Sequence, residues 1–215
     1  MNEHTPSAKL VKPYGHGLGG SDGPQRRPPT TAADGLPRRR FTADELRAME
    51  QAGILGPEER VELIGGDIVV MSPKGRIHEI LRSELVVFWL RNGPRNLKMA
   101  TESPLRLSDD YEPVPDIIVY PANLVAPDVR PETVLLVVEV SDTTLAYDRK
   151  RKSVYYAAAG VREYWVINAQ NRVTTVFRQP TAEGYASVTD IGPAERIAPE
   201  AAPELQVVLA ALPEG

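Results

Sequence analysis

Residues 135–168, LLVVEVSDTTLAYDRKRKSVYYAAAGVREYWVIN, constrain the fold more than any other stretch of the chain. Two apolar runs, 135–140 and 164–167, flank a charged helical segment. The first run is rich in β-branched residues and has the length of a buried strand. A strand, a helix and a strand in succession form a crossover, and a crossover joins parallel strands. The rest of the chain reads as hairpin-connected, so a mixed central β-sheet flanked by helices is expected, an α+β or mixed α/β fold. One residue does not suit a buried strand. Glu139 stands near the end of the first run, and a buried carboxylate is costly unless a cation or hydrogen bonds compensate.

At 215 residues, 42% hydrophobic and 6% aromatic, the chain suits one globular domain with a tail. It holds no apolar run of about 18 residues, the length a membrane span needs. The N-terminus has no apolar signal region. With no cysteine, disulfides and thiolate metal sites are excluded, and a reducing, cytoplasmic setting is expected. The net charge of −4 is uneven: residues 1–40 are basic and the remainder acidic. An acidic body does not bind nucleic acid by bulk electrostatics, so an anionic substrate would need a local basic patch, a metal or the basic tail. Residues 1–37 are basic and rich in glycine and proline, a composition that cannot offset its ordering entropy. They read as a disordered leader, or alternatively as an arm that touches nucleic acid. Residues 38–212 read as a single domain.

Along that domain, Thr42 and Glu45 form a capping box for a helix ending near Gly53. Gly65-Gly66 between 60–64 and 67–71 predicts a hairpin. Apolar residues at three- and four-residue spacing predict a helix over 77–92. Strands follow at 98–102, 105–107 and 117–120, and a proline-rich loop covers 121–133. After the strand at 135–140, a helix is expected over 147–159 with Gly160 as its cap. Strands at 163–167, 172–178 and 185–189 come next, and 205–212 is expected to dock on the core.

Three residues carry a possible chemistry. Asp116 opens one short strand after Pro115, Glu139 lies near the end of the next, and Lys152 lies on the helix that follows. If the two strands are neighbours, the carboxylates converge. Two unit charges about 4 Å apart interact by about 4 kcal/mol at an effective dielectric near 20, so such a pair needs a shared proton or a cation. Oxygen ligands of this kind suit Mg²⁺ or Mn²⁺. A nearby lysine can orient or deprotonate a water, or face developing negative charge. Together these are the parts of metal-assisted phosphodiester hydrolysis. The plainer readings are a turn residue for Asp116, a solvent-facing acid for Glu139 and a solvated helix face for Lys152.

The motifs VPDIIVY, VVEVSDTTLAYDRKRK and YAAAGVREYWVIN, with the earlier VELIGGDIVVMSP and His78, resemble the Uma-two family of the PD-(D/E)XK restriction-endonuclease-like superfamily. The resemblance spans about residues 41–190 and implies a restriction-endonuclease-like core with an additional N-terminal hairpin. It implies that Asp116 is the first acid of the motif and Glu139 the second, both metal ligands. The superfamily's usual lysine lies two residues after the second acid, where this chain has Ser141. The resemblance implies instead a lysine moved to the following helix, at Lys152. Asp148, Lys152 and Tyr156 share a helical face, whereas the rival Lys150 projects about 200° away from Lys152. Glu62 matches an acid of the family's early hairpin, as a further metal or water ligand or simply an exposed strand acid. His78 matches a polar position of the family, and is otherwise a helix cap or surface residue.

The function this implies is a metal-dependent endonuclease that uses Mg²⁺ or Mn²⁺ on DNA, with a homodimer as the default for restriction-like folds. The alternative is a non-catalytic module that keeps the nuclease fold for binding nucleic acid or protein.

Overall fold

A computed structural model describes residues 36–56 and 58–214. The leader expected over 1–37 lies almost wholly outside these residues. In chain order the elements are α1 (Ala43–Gln51), β1 (Val61–Ile64), β2 (Asp67–Val70), α2 (Arg76–Asn92), β3 (Leu97–Thr101), β4 (Tyr111–Glu112), β5 (Ile117–Pro121) and β6 (Leu136–Ser141). Then come α3 (Leu145–Tyr147), a π-turn (Asp148–Lys152), α4 (Ser153–Ala158), β7 (Glu163–Asn168), β8 (Thr174–Thr181), β9 (Gly184–Ile191), β10 (Arg196–Ile197) and β11 (Val207–Val208).

The six-stranded sheet runs β3-β5-β6-β7-β8-β9. Its one parallel pair is β6–β7, the two strands joined by the charged helix. Every other neighbouring pair is antiparallel. A crossover can join parallel strands where a short turn cannot, so the sheet is mixed at the place the sequence requires.

Alternation along the central strands sorts side chains into two layers. Ile117, Val119, Leu136, Val138 and Val140 face α2 and pack with its Leu81, Leu85 and Trp89. Ile118, Val137 and Val166 face the other way, into a cluster with Tyr156 and Tyr164. The C-terminal segment closes the α2 side. Leu205, Leu209 and Leu212 are buried there, and Trp89 Nε1 donates to the Leu205 carbonyl at 2.7 Å. Arg172 donates to the carbonyls of Leu209 and Leu212, both at 2.8 Å.

At the N-terminal side, Thr42 caps α1 with the expected capping box. The β1–β2 hairpin turns at Gly65 (φ +60°) and Gly66 (φ +82°), angles that strain any residue with a Cβ. The hairpin gains a third strand that the sequence did not suggest: β4 pairs with β1, giving the order β2-β1-β4.

Two local expectations need correction. Residues 105–107 form no strand. Their amides at Leu105 and Leu107 bond instead to the carbonyls of Pro113 and Tyr111, at 2.9 Å each. The facing segment contains Pro113 and Pro115, which have no N–H to offer a ladder. The helix expected over 147–159 begins earlier, at Leu145, and contains the π-turn. There the Ser153 amide reaches back to the Asp148 carbonyl, which also accepts the Tyr164 hydroxyl at 3.2 Å. A second donor on that carbonyl favours the wider turn, a distortion found often at functional sites.

Candidate active site

Ile117 pairs with Val138 across β5 and β6. One residue beyond that pair on each strand stand Asp116 and Glu139, so the two acids leave adjacent strands side by side. Asp116 replaces part of the ladder there. Its Oδ2 accepts the Val140 amide at 2.7 Å and lies 3.0 Å from His78 Nε2. Its Oδ1 is bonded to the Lys74 ammonium. Burial works to raise the Asp116 carboxyl, but His78 and Lys74 outweigh it and hold its pKa down at about 2.

Glu139 points to the opposite layer from Val138 and Val140, toward the crossover helix. Its Oε1 accepts Lys152 Nζ at 2.9 Å and the Tyr156 hydroxyl at 3.3 Å. Lys152, only 7% exposed, also donates to Glu62 Oε1 at 3.2 Å and lies 3.9 Å from Asp148 Oδ1. Glu62 in turn accepts the Val114 amide at 2.8 Å. Burial pulls the Lys152 ammonium down, but Glu139, Glu62 and Asp148 outweigh it and raise its pKa, so it is held as a fixed positive charge. Burial pushes the Glu139 carboxyl well up; Lys152 opposes this, while Asp116, Asp148 and Glu62 add to it. Burial also drives the Tyr156 hydroxyl well above its ordinary range, which keeps it a donor.

The side chains singled out in the sequence, Asp116, Glu139, Lys152, Glu62, Asp148, His78 and Tyr156, are all buried, in two bonded groups: His78 with Asp116, and Lys152 with Glu139, Glu62, Asp148 and Tyr156. Lys150, the rival lysine, is exposed. Tyr155, the sequence neighbour of Tyr156, packs instead against Tyr111, the two rings tilted with centroids 4.0 Å apart. Ser141, at the place of the usual superfamily lysine, donates to Asp148 Oδ2 at 2.7 Å, and Thr144 does so at 2.6 Å. The serine thus positions the acid that flanks Lys152. Two participants were not foreseen: Lys74, and Glu102, whose Oε1 lies 2.9 Å from the Lys74 ammonium. Their only sequence signal is their residue type.

Asp116, Glu139 and Lys152 line a cavity of about 560 Å³ with Glu62, Lys74 and His78. Among the described residues, no group of three or more His, Cys, Asp or Glu side chains is arranged to enclose a metal ion. Two carboxylates nevertheless fit Mg²⁺ or Mn²⁺, which keep several waters of their own beside one or two such ligands. The charge balance also fits. Glu62, Asp116, Glu139 and Asp148 gather around the two ammonium groups Lys152 and Lys74, leaving the acids in excess.

The model of the Uma2 family, described as "Putative restriction endonuclease", matches residues 43–211. The chain belongs to the Uma2 family. Among solved structures, this Uma2 protein is similar to one titled a "putative nuclease belonging to DUF820" from Anabaena variabilis. The two are 18% identical with a TM-score of 0.62, over 79% of this chain and 96% of that one. That likeness shows a shared fold. No curated protein matches. Among the described residues of the Uma2 chain, no helix is long and apolar enough to cross a membrane.

Proposed function

We propose that this Uma2-family chain is a metal-dependent endonuclease of DNA, in which Asp116 and Glu139 hold Mg²⁺ or Mn²⁺ and Lys152 is the catalytic lysine. The observation that carries this reading is the meeting of three elements. Two acids leave neighbouring strands side by side, and the crossover helix delivers an ammonium 2.9 Å from one of them. When bound, the ion would lower the pKa of a coordinated water and screen the phosphate charge. The protein's own groups divide the remaining work. His78 and the Val140 amide orient Asp116. Tyr156 orients Glu139, and Glu62 and Asp148 hold Lys152. Lys152 would face the negative charge that develops on the phosphate oxygens. A homodimer would supply one such site for each strand of a duplex.

The test is cleavage of plasmid and single-stranded DNA in Mg²⁺ or Mn²⁺. Glu139→Gln and Lys152→Met are each expected to lower the rate about a hundredfold or more, the effect of removing a group that acts on transition-state charge. Cleavage at full rate by both variants would overturn the assignment.

A second reading has an observation of its own. Both acids are already paired with lysines, as in a nuclease fold that only binds. Calorimetry with Mg²⁺ and Mn²⁺ separates the two. A binding isotherm that Asp116→Ala abolishes supports the enzyme, and no isotherm at millimolar metal supports the binding module.

A further inference from the structure

We propose that Lys74 is the resident counter-ion of Asp116 and that a divalent cation enters by displacing it onto Glu102. This rests on the metal reading of the site above and names the residue that sets its affinity.

Lys74 lies in the loop between β2 and α2, with its side chain 12% exposed. Its ammonium bridges Asp116 Oδ1 and Glu102 Oε1, the latter at 2.9 Å. The second oxygen of Asp116 is committed to His78 and the Val140 amide. Oδ1 is therefore the oxygen open to an incoming ion, and Lys74 sits on it. An ammonium and a divalent cation repel one another at such separations, so the two cannot share that oxygen. One must leave.

The lysine has a second anchor in place. Glu102 directly follows β3 with φ +50°, a conformation that a non-glycine residue keeps only where its surroundings hold it. Its amide donates to the Asp116 carbonyl at 3.2 Å, which ties it to the site. Its carboxylate also accepts Arg60 at 2.6 Å. Lys74 has a flexible four-carbon stem and a compact charge with three donors. It can release one acid while keeping the other, so the displaced ammonium remains beside the cavity without returning to bulk water. Glu102 lowers the cost of displacement, and Lys74 raises the cost of metal entry.

The experiment is calorimetric titration of Mg²⁺ and of Mn²⁺ into the full chain and its variants, with near-ultraviolet circular dichroism to show that each is folded. If the ammonium leaves Asp116 free about a tenth of the time, removing it tightens metal binding about tenfold. Lys74→Met and Lys74→Gln are both expected to show that gain. Glu102→Gln is expected to weaken binding, because the lysine then has Asp116 alone. Arg60→Met removes a charge bonded to the same Glu102 and is expected to change the affinity far less. Unchanged or weaker binding by both folded lysine variants would overturn the proposal. So would an Arg60→Met gain equal to that of Lys74→Met, which would reduce the effect to bulk charge. If the wild type binds and Asp116→Asn does not, but the lysine variants gain nothing, displacement alone is wrong. If neither the wild type nor Lys74→Met binds a divalent ion at millimolar concentration, the metal reading fails together with it.

Discussion

Lys152→Met is expected to destabilise the folded chain by about 3–5 kcal/mol in metal-free buffer, the usual cost of removing one partner from a buried ion pair. The size follows from what the lysine leaves behind. Its ammonium is the near cation for Glu139 at 2.9 Å and Glu62 at 3.2 Å, with Asp148 at 3.9 Å. All three acids are buried, so without the lysine their charges face each other away from water. Methionine keeps most of the volume, which separates the lost charge from a cavity effect. Urea denaturation with and without EDTA measures the change. The Lys152→Met, Glu139→Gln double variant should recover part of the loss, since residues in one network are not additive. Divalent metal should also recover part. A ligand at a hundred times its dissociation constant contributes about 2.7 kcal/mol to the folded state. A loss below about 1 kcal/mol, within reach of an exposed pair, would contradict the burial and pairing of Lys152.

Trp89→Ala is expected to cost about 3–5 kcal/mol, in the range for emptying a large aromatic from a core. Trp89 is 1% exposed and lies 6.1 Å from Trp165 between ring centroids. It stands where α2, the central strands and the C-terminal segment meet. Its indole N–H also anchors the Leu205 carbonyl at 2.7 Å, so the variant should loosen residues 203–212 as well as lower stability. Limited proteolysis separates these effects. Faster cleavage within 203–212 than elsewhere, at a denaturant concentration where the core is intact, is the expected result. Trp89→Phe should cost less than the alanine variant because it fills much of the space while still losing the hydrogen bond. Equal cleavage throughout the chain would show that the segment does not depend on this contact.

What could be read in the sequence was what is local. The Thr42–Glu45 capping box spans three residues, and its reciprocal bonds form. The Gly65-Gly66 turn carries its own requirement for positive φ, and α2 carries its own periodicity. The crossover was legible because β6 and β7 flank their own helix. The sequence showed less of how distant segments meet. β4 is two residues long, and nothing in Tyr111-Glu112 announces a pairing with β1. At the π-turn, the Asp148 carbonyl accepts the Tyr164 hydroxyl from another element. Glu62 and Lys152 lie 90 residues apart, and only the folded chain shows that they are bonded. Lys74 is the clearest case. It lies between the hairpin and the helix that the sequence predicts, where no motif marks it, and only the folded chain brings it to Asp116. Ser141 shows the converse. Its departure from the superfamily pattern was visible in the sequence, but its hydrogen bond to Asp148 gives the substitution a structural role only in three dimensions.

The most direct test of the site is the anomalous scattering of Mn²⁺ soaked into crystals of the protein. A single strong peak bonded to one carboxylate oxygen of Asp116 and one of Glu139, with Lys152 still paired to Glu139, is the predicted result. A manganese peak that avoids both carboxylates, or none at a concentration that saturates other Mn²⁺ proteins, would contradict it.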